Sequence, residues 1–158
     1  RLIMSKWTLD SVQIQHILDS EPDNMLEWGS GDSTKAFNRA GINITSIEHN
    51  EAMPTGGDIR LVLPQARTHY QPPIYLDWSN YIAVPDIKLY DTILIDGECR
   101  GECLAYTAFH NPNAKVFLHD TQRGLYSWAT SMYDVVKTIP GKWEMQELKA
   151  KSWYKGFE

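Results

Sequence analysis

Several features are scarce in this sequence, and each absence excludes a class of protein. The net charge is −5 at pH 7, which excludes a primary nucleic-acid binder because phosphate contacts need a basic surface. No apolar run is long enough to span a membrane, and no signal peptide is recognisable. The two cysteines, Cys99 and Cys103, lie one helical turn apart, a spacing that suits neither a disulfide nor, alone, a zinc site. We therefore expect reduced thiols and a cytoplasmic location.

The length and composition indicate one globular domain. The chain has 158 residues, and its six Trp and eight Tyr favour a packed core over disorder. It begins with Arg1 rather than Met, and a last strand over residues 153–157 looks cut short. We expect a single domain over residues 1–158 that is truncated at its carboxyl end.

A glycine-rich turn follows the first predicted strand, Met25 to Trp28. Gly29-Ser30-Gly31 stands between that strand and a helix start, an arrangement that brings backbone N–H groups close to a ligand. A dinucleotide site needs a third glycine, and that position holds Thr34. The turn therefore suits the amino-acid end of S-adenosylmethionine (SAM) better than a pyrophosphate.

Acidic residues stand at the ends of the later predicted strands. Glu48 ends the strand that begins at Ile42, and a carboxylate at this position suits the two hydroxyls of a ribose. Because an acid at a strand tip that faces a pocket supports no core, the loss of Glu48 should change the stability of the fold little. Asp96 follows the strand Thr92 to Ile95, and His119-Asp120 follows Lys115 to Leu118. Ligands of a doubly wound sheet bind beyond the carboxyl ends of its strands, although such acids also occur as helix caps.

The ordered set of strand-end motifs resembles a known superfamily. Leu26-Glu27-Trp28-Gly29-Ser30-Gly31-Asp32-Ser33-Thr34, then Thr45-Ser46-Ile47-Glu48-His49-Asn50, is similar to motifs I and II of class I SAM-dependent methyltransferases. Tyr90 to Gly97, with Arg100 and Cys103, resembles a small bacterial subfamily of methyltransferase-like proteins. The likeness covers roughly residues 24–126. It implies an α/β, doubly wound, Rossmann-like fold, a mostly parallel sheet flanked by helices, and SAM as cofactor with S-adenosylhomocysteine as product.

The resemblance also implies site residues. The implied cofactor contacts are Glu27, Gly29, Ser30, Gly31, Ser33, Thr34, Glu48, His49, Asp96 and Gly97. The candidate catalytic residues are His119 by pKa and Asp96 and Asp120 by position, for O- or N-methylation of an unidentified, small-molecule acceptor. Metal-assisted O-methyltransferases place acids as Asp96 and Asp120 are placed, so Mg²⁺ stays an alternative although no third ligand is identifiable. Arg100 would hold an anionic substrate group or form a surface salt bridge.

Three other functions stay open. An NAD(P)-dependent oxidoreductase shares the layered sheet and the ribose acid, although the third glycine is missing. An aminopropyltransferase would use decarboxylated SAM, although no paired-carboxylate cluster follows the predicted strand Thr92 to Ile95. A non-catalytic binding module with the same fold is the third alternative.

The remaining segments yield weaker expectations. Residues 52–57 leave little room for the helix that normally follows the second strand, here Ile42 to Glu48, so we expect residues to be absent near 53–57. Residues 67–85 predict a long loop, in which Asp77, Trp78 and Tyr81 could join a pocket. A helix is predicted over Tyr126 to Val136, a sixth strand over Trp143 to Leu148, and an antiparallel seventh strand over residues 153–157.

Overall fold

A computed structural model describes residues 8–53, 56–67 and 75–152. Five α-helices lie in these ranges: α1 (Ser11–Asp19), α2 (Asp32–Arg39), α3 (Ser79–Ile82), α4 (Arg100–His110) and α5 (Ser127–Thr130). The nine strands are β1 (Met25–Trp28), β2 (Ile44–Glu48), β3 (Asp58–Leu61), β4 (Gln65–Arg67), β5 (Tyr75–Asp77), β6 (Thr92–Ile95), β7 (Lys115–His119), β8 (Tyr133–Ile139) and β9 (Met145–Ala150).

Seven of these strands form one sheet in the order β3-β2-β1-β6-β7-β9-β8. The five strands from β3 to β7 in that order are parallel, and β9 runs antiparallel to both of its neighbours. β4 and β5 make a separate antiparallel pair. The predicted α/β, Rossmann-like fold with a mostly parallel sheet is confirmed.

The two faces of the sheet carry two separate cores. Leu26 and Trp28 of β1 pack with Leu104 of α4 on one face, whereas Met25 packs with Phe37 of α2 on the other. This division follows from the strand period of two, which sends successive side chains to opposite faces. All four residues of β1 and of β6 are buried, as expected of parallel strands covered on both sides. Because β1, β2, β6 and β7 run parallel, their carboxyl ends lie at the same edge of the sheet.

The carboxyl-terminal third differs from the sequence expectation. The helix predicted over Tyr126 to Val136 is wrong, because only Ser127–Thr130 is α-helical and β8 begins at Tyr133. The β-branched residues of β8 pair with β9, and that pairing overrides a weak helical pattern. The strand predicted over Trp143 to Leu148 is β9, and it is the antiparallel strand. Residues 153–157, where that strand was predicted, lie outside the described residues.

The connection from β2 to β3 is short for a parallel crossover. Residues 49–57 join the two strands, yet Thr45 pairs with Asp58 and Glu48 with Leu61 in parallel register. Gly56 and Gly57, directly before β3, both have a positive φ, at +85° and +84°, a conformation that glycine adopts without steric cost. The expectation that residues are absent here stays a prediction.

Two further findings concern the expectations from composition. Within the described ranges, no helix is both long and apolar enough to cross a membrane. Cys99 and Cys103 are free thiols, the first half-buried and the second buried, and burial raises the pKa of Cys99 to about 11.

Candidate functional site

The turn after β1 and the loop after β6 touch through their backbones. Gly29 has φ +94°, and a Cβ there would lie 2.9 Å from both the Asp96 carbonyl oxygen and the Gly97 Cα. A Cβ on Gly97 would lie 2.9 Å from the Gly29 nitrogen and 2.2 Å from the Tyr81 hydroxyl. Both positions therefore need glycine, and their contact brings Asp96 beside the glycine-rich turn.

Glu48 is held by backbone donors from two segments. Its Oε2 accepts hydrogen bonds from the Ser30 N–H at 2.7 Å and the Ser30 hydroxyl at 3.1 Å. Its Oε1 accepts from the N–H groups of His49 and Asn50, at 2.8 and 2.9 Å. The residue is only 3% exposed. A carboxylate has about four acceptor positions, so these donors use most of its capacity.

Glu27, Ser33 and Thr34 are buried, and a chain of hydrogen bonds links the first and the last of them to the turn. The Thr34 hydroxyl accepts from the Gly31 N–H at 2.9 Å and donates to Glu27, which also accepts from Ser46 at 2.7 Å. Glu27 is 1% exposed, and its burial raises its pKa to about 8. Glu27 and Thr34 thus support the turn, and the direct cofactor contacts expected of Glu27, Ser33 and Thr34 stay a prediction.

Asp96 and His119 form a hydrogen-bonded pair. Asp96 Oδ1 lies 2.8 Å from His119 Nδ1, and no described group bonds His119 Nε2, which is buried. An ionised carboxylate only accepts hydrogen bonds, so His119 carries its proton on Nδ1 when it faces ionised Asp96. The His119 side chain is 3% exposed and the Asp96 side chain 15% exposed. Of these two residues, Asp96 lines the cleft at the carboxyl edge of the sheet that is described below.

Arg100 binds the loops after β6 and β7 together. Its Nε donates to the Gly97 carbonyl oxygen at 2.9 Å and its Nη1 to the His119 carbonyl oxygen at 2.7 Å. A third nitrogen lies 3.6 Å from Asp96 Oδ1. The guanidinium is thus shared between backbone carbonyl oxygens and the Asp96 carboxylate, and its expected role toward an anionic substrate group stays a prediction.

Asp120 is placed apart from the cleft. It adopts a left-handed backbone conformation with φ +63°, and its carboxylate bonds Gln122 at 2.5 Å and Arg123 at 3.2 Å. Among the described residues, no group of three His, Cys, Asp or Glu side chains is arranged to hold a metal ion. Asp120 therefore faces its own loop and not Asp96.

An aromatic wall stands beside the turn. The His49 ring contacts Trp78 and Tyr81 edge-on, with ring centres 5.2 and 5.8 Å apart. Trp78 and Tyr81 lie in and beside α3, within the segment that was predicted to be a loop. The Tyr81 hydroxyl accepts the Glu98 N–H at 3.2 Å, and burial raises the pKa of Tyr81.

The glycine-rich turn, the end of β2 and the loop after β6 line a cleft of about 310 Å³ at the carboxyl edge of the sheet. This volume is at the lower end of the range for small-molecule sites. Its lining includes six predicted residues: Gly29, Ser30, Glu48, His49, Asp96 and Gly97. Asn50, Met53, Glu98 and Arg100 complete it. A larger cleft of about 410 Å³, lined by Lys88, Asp91 and His110 among others, lies at the opposite edge, away from the strand-end motifs.

Comparisons with known proteins bear on the fold. No protein-family model and no curated protein sequence matches this chain. Among solved structures, the chain is similar to the crystal structure of ribosomal protein L11 methylase from Lactobacillus delbrueckii subsp. bulgaricus. The TM-score is 0.56, the identity is 14%, and the match covers 87% of this chain and 74% of that chain. At this identity the likeness establishes the architecture, and the chain therefore has the Rossmann-like α/β fold of that methylase.

Proposed function

We propose that this protein is a SAM-dependent methyltransferase that acts on the oxygen or nitrogen of a small-molecule acceptor. The observation that carries the proposal is that Gly29 and Ser30 of the glycine-rich turn, Glu48 and Asp96 line one cleft, whereas Gly31 is not among its lining residues. That cleft lies where ligands of parallel α/β sheets bind. The fold shared with a methylase supports the same assignment.

The charges of the cleft fit SAM. Glu48, Asp96 and Glu98 line it, and its single cation, Arg100, is engaged by carbonyl oxygens. Carboxylates favour a ligand that carries a sulfonium and an ammonium group. Among the described residues, a Cβ on Gly31 would meet the Met53 methyl group alone, at 3.7 Å, so the turn presents bare backbone to them on that side.

A ribose can bind at Glu48 only if the carboxylate exchanges one of its present hydrogen-bond donors for a ribose hydroxyl. Because four protein donors use both carboxylate oxygens, ribose hydroxyls would bind there only by replacing one of them. The Ser30 hydroxyl is the easiest to displace, since its bond to Glu48 is the longest of the four and it also reaches the Met53 carbonyl oxygen, at 3.0 Å. We propose that Ser30 turns away from Glu48 when the ribose binds.

Asp96 is the proposed catalytic base. Bound SAM would supply an activated methyl group, and the chain's part is to hold the acceptor and take up its proton. Asp96 is the carboxylate that both reaches the cleft and has a buried histidine behind it. His119 is a positioning residue, because its donated hydrogen bond fixes the orientation of Asp96. With Asp120 turned away, we propose no step that needs Mg²⁺.

The proposal is tested by incubating the protein with SAM and acceptor panels and measuring S-adenosylhomocysteine. One panel holds small phenols, alcohols and amines. A second holds ribosomal proteins, because the similar solved structure is a ribosomal protein methylase. Turnover with a small molecule that Asp96→Asn abolishes supports the proposal. Turnover with protein substrates alone overturns the acceptor class, and binding of SAM without any turnover favours the non-catalytic module.

A further inference from the structure

A further cleft, of about 240 Å³, lies where α4 begins and α5 packs beside it, and we call it the α4–α5 cleft. Gly97, Glu98 and Arg100 line both this cleft and the one around Asp96, so the two adjoin. Among the described residues that are expected to contact SAM, Gly97 alone lines the α4–α5 cleft, which leaves room there for a different ligand. Its other lining residues are Cys99, Gly101, Glu102, Arg123, Leu125, Tyr126 and Trp128.

The α4–α5 cleft has an accessible indole on its wall. Trp128 is 52% exposed and the neighbouring Leu125 is 72% exposed, although both are large apolar residues. Trp128 is anchored on Gly101, because a Cβ on that glycine would lie 2.8 Å from Trp128 Cζ2 and 3.0 Å from Trp128 Nε1. The indole therefore packs directly on the backbone of α4, and about half of the residue stays open. An anchored, half-open aromatic side chain offers a surface on which a second ring can pack.

Arg100 lies between this aromatic surface and the proposed base. Its guanidinium carbon lies 6.0 Å from the centre of the Tyr126 ring, and its Nη2 lies 3.6 Å from Asp96 Oδ1. The Tyr126 hydroxyl donates a hydrogen bond to the Asp120 carbonyl oxygen at 2.9 Å, which fixes the orientation of the ring. A single side chain thus separates the aromatic lining of the α4–α5 cleft from the Asp96 carboxylate.

Size and charge narrow the class of ligand. An apolar protein cavity of about 150 Å³ holds one benzene ring, so the α4–α5 cleft has room for one ring with a short substituent. Both arginines that line it already face an aspartate, since Arg123 Nε lies 3.2 Å from Asp120 Oδ2. Glu98 and Glu102 offset the two positive charges. The aromatic surface, more than net charge, would therefore select the ligand.

We propose that the α4–α5 cleft holds the methyl acceptor, and that this acceptor is a small aromatic compound whose ring packs against Trp128. The assignment rests on the proposed function. The hydroxyl or amino group of the ring extends past Gly97 to Asp96, which takes up its proton. As the acceptor oxygen or nitrogen bonds the methyl carbon, the bond from that carbon to the SAM sulfur breaks, and its electron pair stays on the sulfur of S-adenosylhomocysteine.

Binding of phenol to the 158-residue chain, with S-adenosylhomocysteine at saturation, tests this assignment. Cyclohexanol has the same hydroxyl group and nearly the same size without an aromatic ring, so it is the matched control ligand. We expect phenol to bind at least about fivefold more tightly than cyclohexanol. Titrations followed by NMR measure both affinities, and the phenol-dependent shifts should concentrate at the amide of Gly101 and the indole N–H of Trp128.

Variants of the indole wall locate the site. Trp128→Ala should weaken phenol binding at least about fivefold, whereas Trp128→Phe keeps a ring and should retain most of the affinity. Gly101→Ala should also weaken phenol binding, because its added methyl group displaces the indole without removing it. Phe109→Ala is the control, since Phe109 is an exposed aromatic residue at the other end of α4. Circular dichroism verifies that each variant folds, and all four should bind S-adenosylhomocysteine as the wild type does.

The outcomes distinguish this inference from the proposed function. Binding of S-adenosylhomocysteine with no preference for phenol over cyclohexanol overturns the aromatic acceptor site and leaves the proposed function standing. The same holds for phenol binding that Trp128→Ala and Gly101→Ala both leave unchanged. Methyl transfer to ribosomal proteins alone overturns the aromatic class of acceptor. Failure of S-adenosylhomocysteine to bind overturns the proposed function, and the acceptor assignment with it.

Discussion

Asp96 Oδ1 lies 2.8 Å from His119 Nδ1, and the two hydrogen-bonded side chains differ in whether they reach the cleft. Asp96 lines the cleft and its side chain is 15% exposed, whereas the His119 side chain is 3% exposed and lines none of the clefts described above. Because a base must reach the proton that it removes, the direct role falls to Asp96 and the orienting role to His119.

Asp96→Asn should separate function from framework. The asparagine oxygen still accepts the His119 Nδ1–H hydrogen bond, so thermal melting should stay close to that of the wild type. Loss of the charge should reduce cofactor binding or methyl transfer at least about tenfold, or 1.4 kcal/mol. Asp23→Asn, an exposed carboxylate at the opposite end of β1, is the matched control. Full activity in Asp96→Asn would leave this residue a structural cap.

Glu48→Gln should weaken both the fold and the cofactor site, which revises the expectation that its loss would change stability little. A glutamine presents an NH₂ group where the carboxylate accepts from three backbone N–H groups. We expect a loss on the order of 1.5–3 kcal/mol in the free energy of unfolding, measured by urea denaturation. The exposed Glu51→Gln is the control. Unchanged stability would show that these hydrogen bonds do not form in solution.

Gly97→Ala should destabilise the protein, and Tyr81→Phe should rescue it only in part. The added Cβ would lie 2.2 Å from the Tyr81 hydroxyl and 2.9 Å from the Gly29 nitrogen. Removing the hydroxyl relieves the first clash but not the second, which involves backbone. We expect a cost of about 1–3 kcal/mol for Gly97→Ala by chemical denaturation. Gly31→Ala, where φ is 173°, should cost much less, and equal costs would refute the packing of the two loops.

Glu27→Gln should remove a pH dependence of stability. The pKa of Glu27 is raised from its usual 4.5 to about 8 by burial, so between these values the folded chain keeps a proton that the unfolded chain releases. Stability therefore falls as pH rises through this window, by up to about 1.4 kcal/mol per pH unit. The glutamine variant should lack this decline and be more stable at pH 8. Denaturation midpoints from pH 5 to 8 measure it, and an unchanged slope would contradict the burial of an ionisable Glu27.

The parallel half of the fold was readable from local sequence. The bounds of β6 were predicted without error, because an apolar run of β-branched residues and leucine ends sharply at Asp96-Gly97. β8 was not, because its strand conformation depends on pairing with β9, which follows later in the chain. A local pattern carries no information on that partner.

Part of the candidate site could be predicted because local sequence defines where the parallel strands end. The strand ends located Glu48 and Asp96, but the side-chain partners depend on register. Ile95 pairs with Leu118, which places Asp96 beside His119 in the next position. That register is set by the assembled sheet, and so are the four donors to Glu48. The aromatic wall was partly anticipated, since Trp78 and Tyr81 were named, but their contacts with His49 join segments distant in sequence.

The central claim is tested most directly by titrating the folded protein with S-adenosylhomocysteine and, separately, with NAD in a calorimeter. The account predicts saturable binding of S-adenosylhomocysteine at one site, lost in Glu48→Gln and Asp96→Asn but kept in Glu51→Gln, and no comparable binding of NAD. A concentration one hundred times the Kd should also stabilise the fold by roughly 2.7 kcal/mol. Binding of NAD in preference, or of neither ligand to a well-folded sample, would contradict the account.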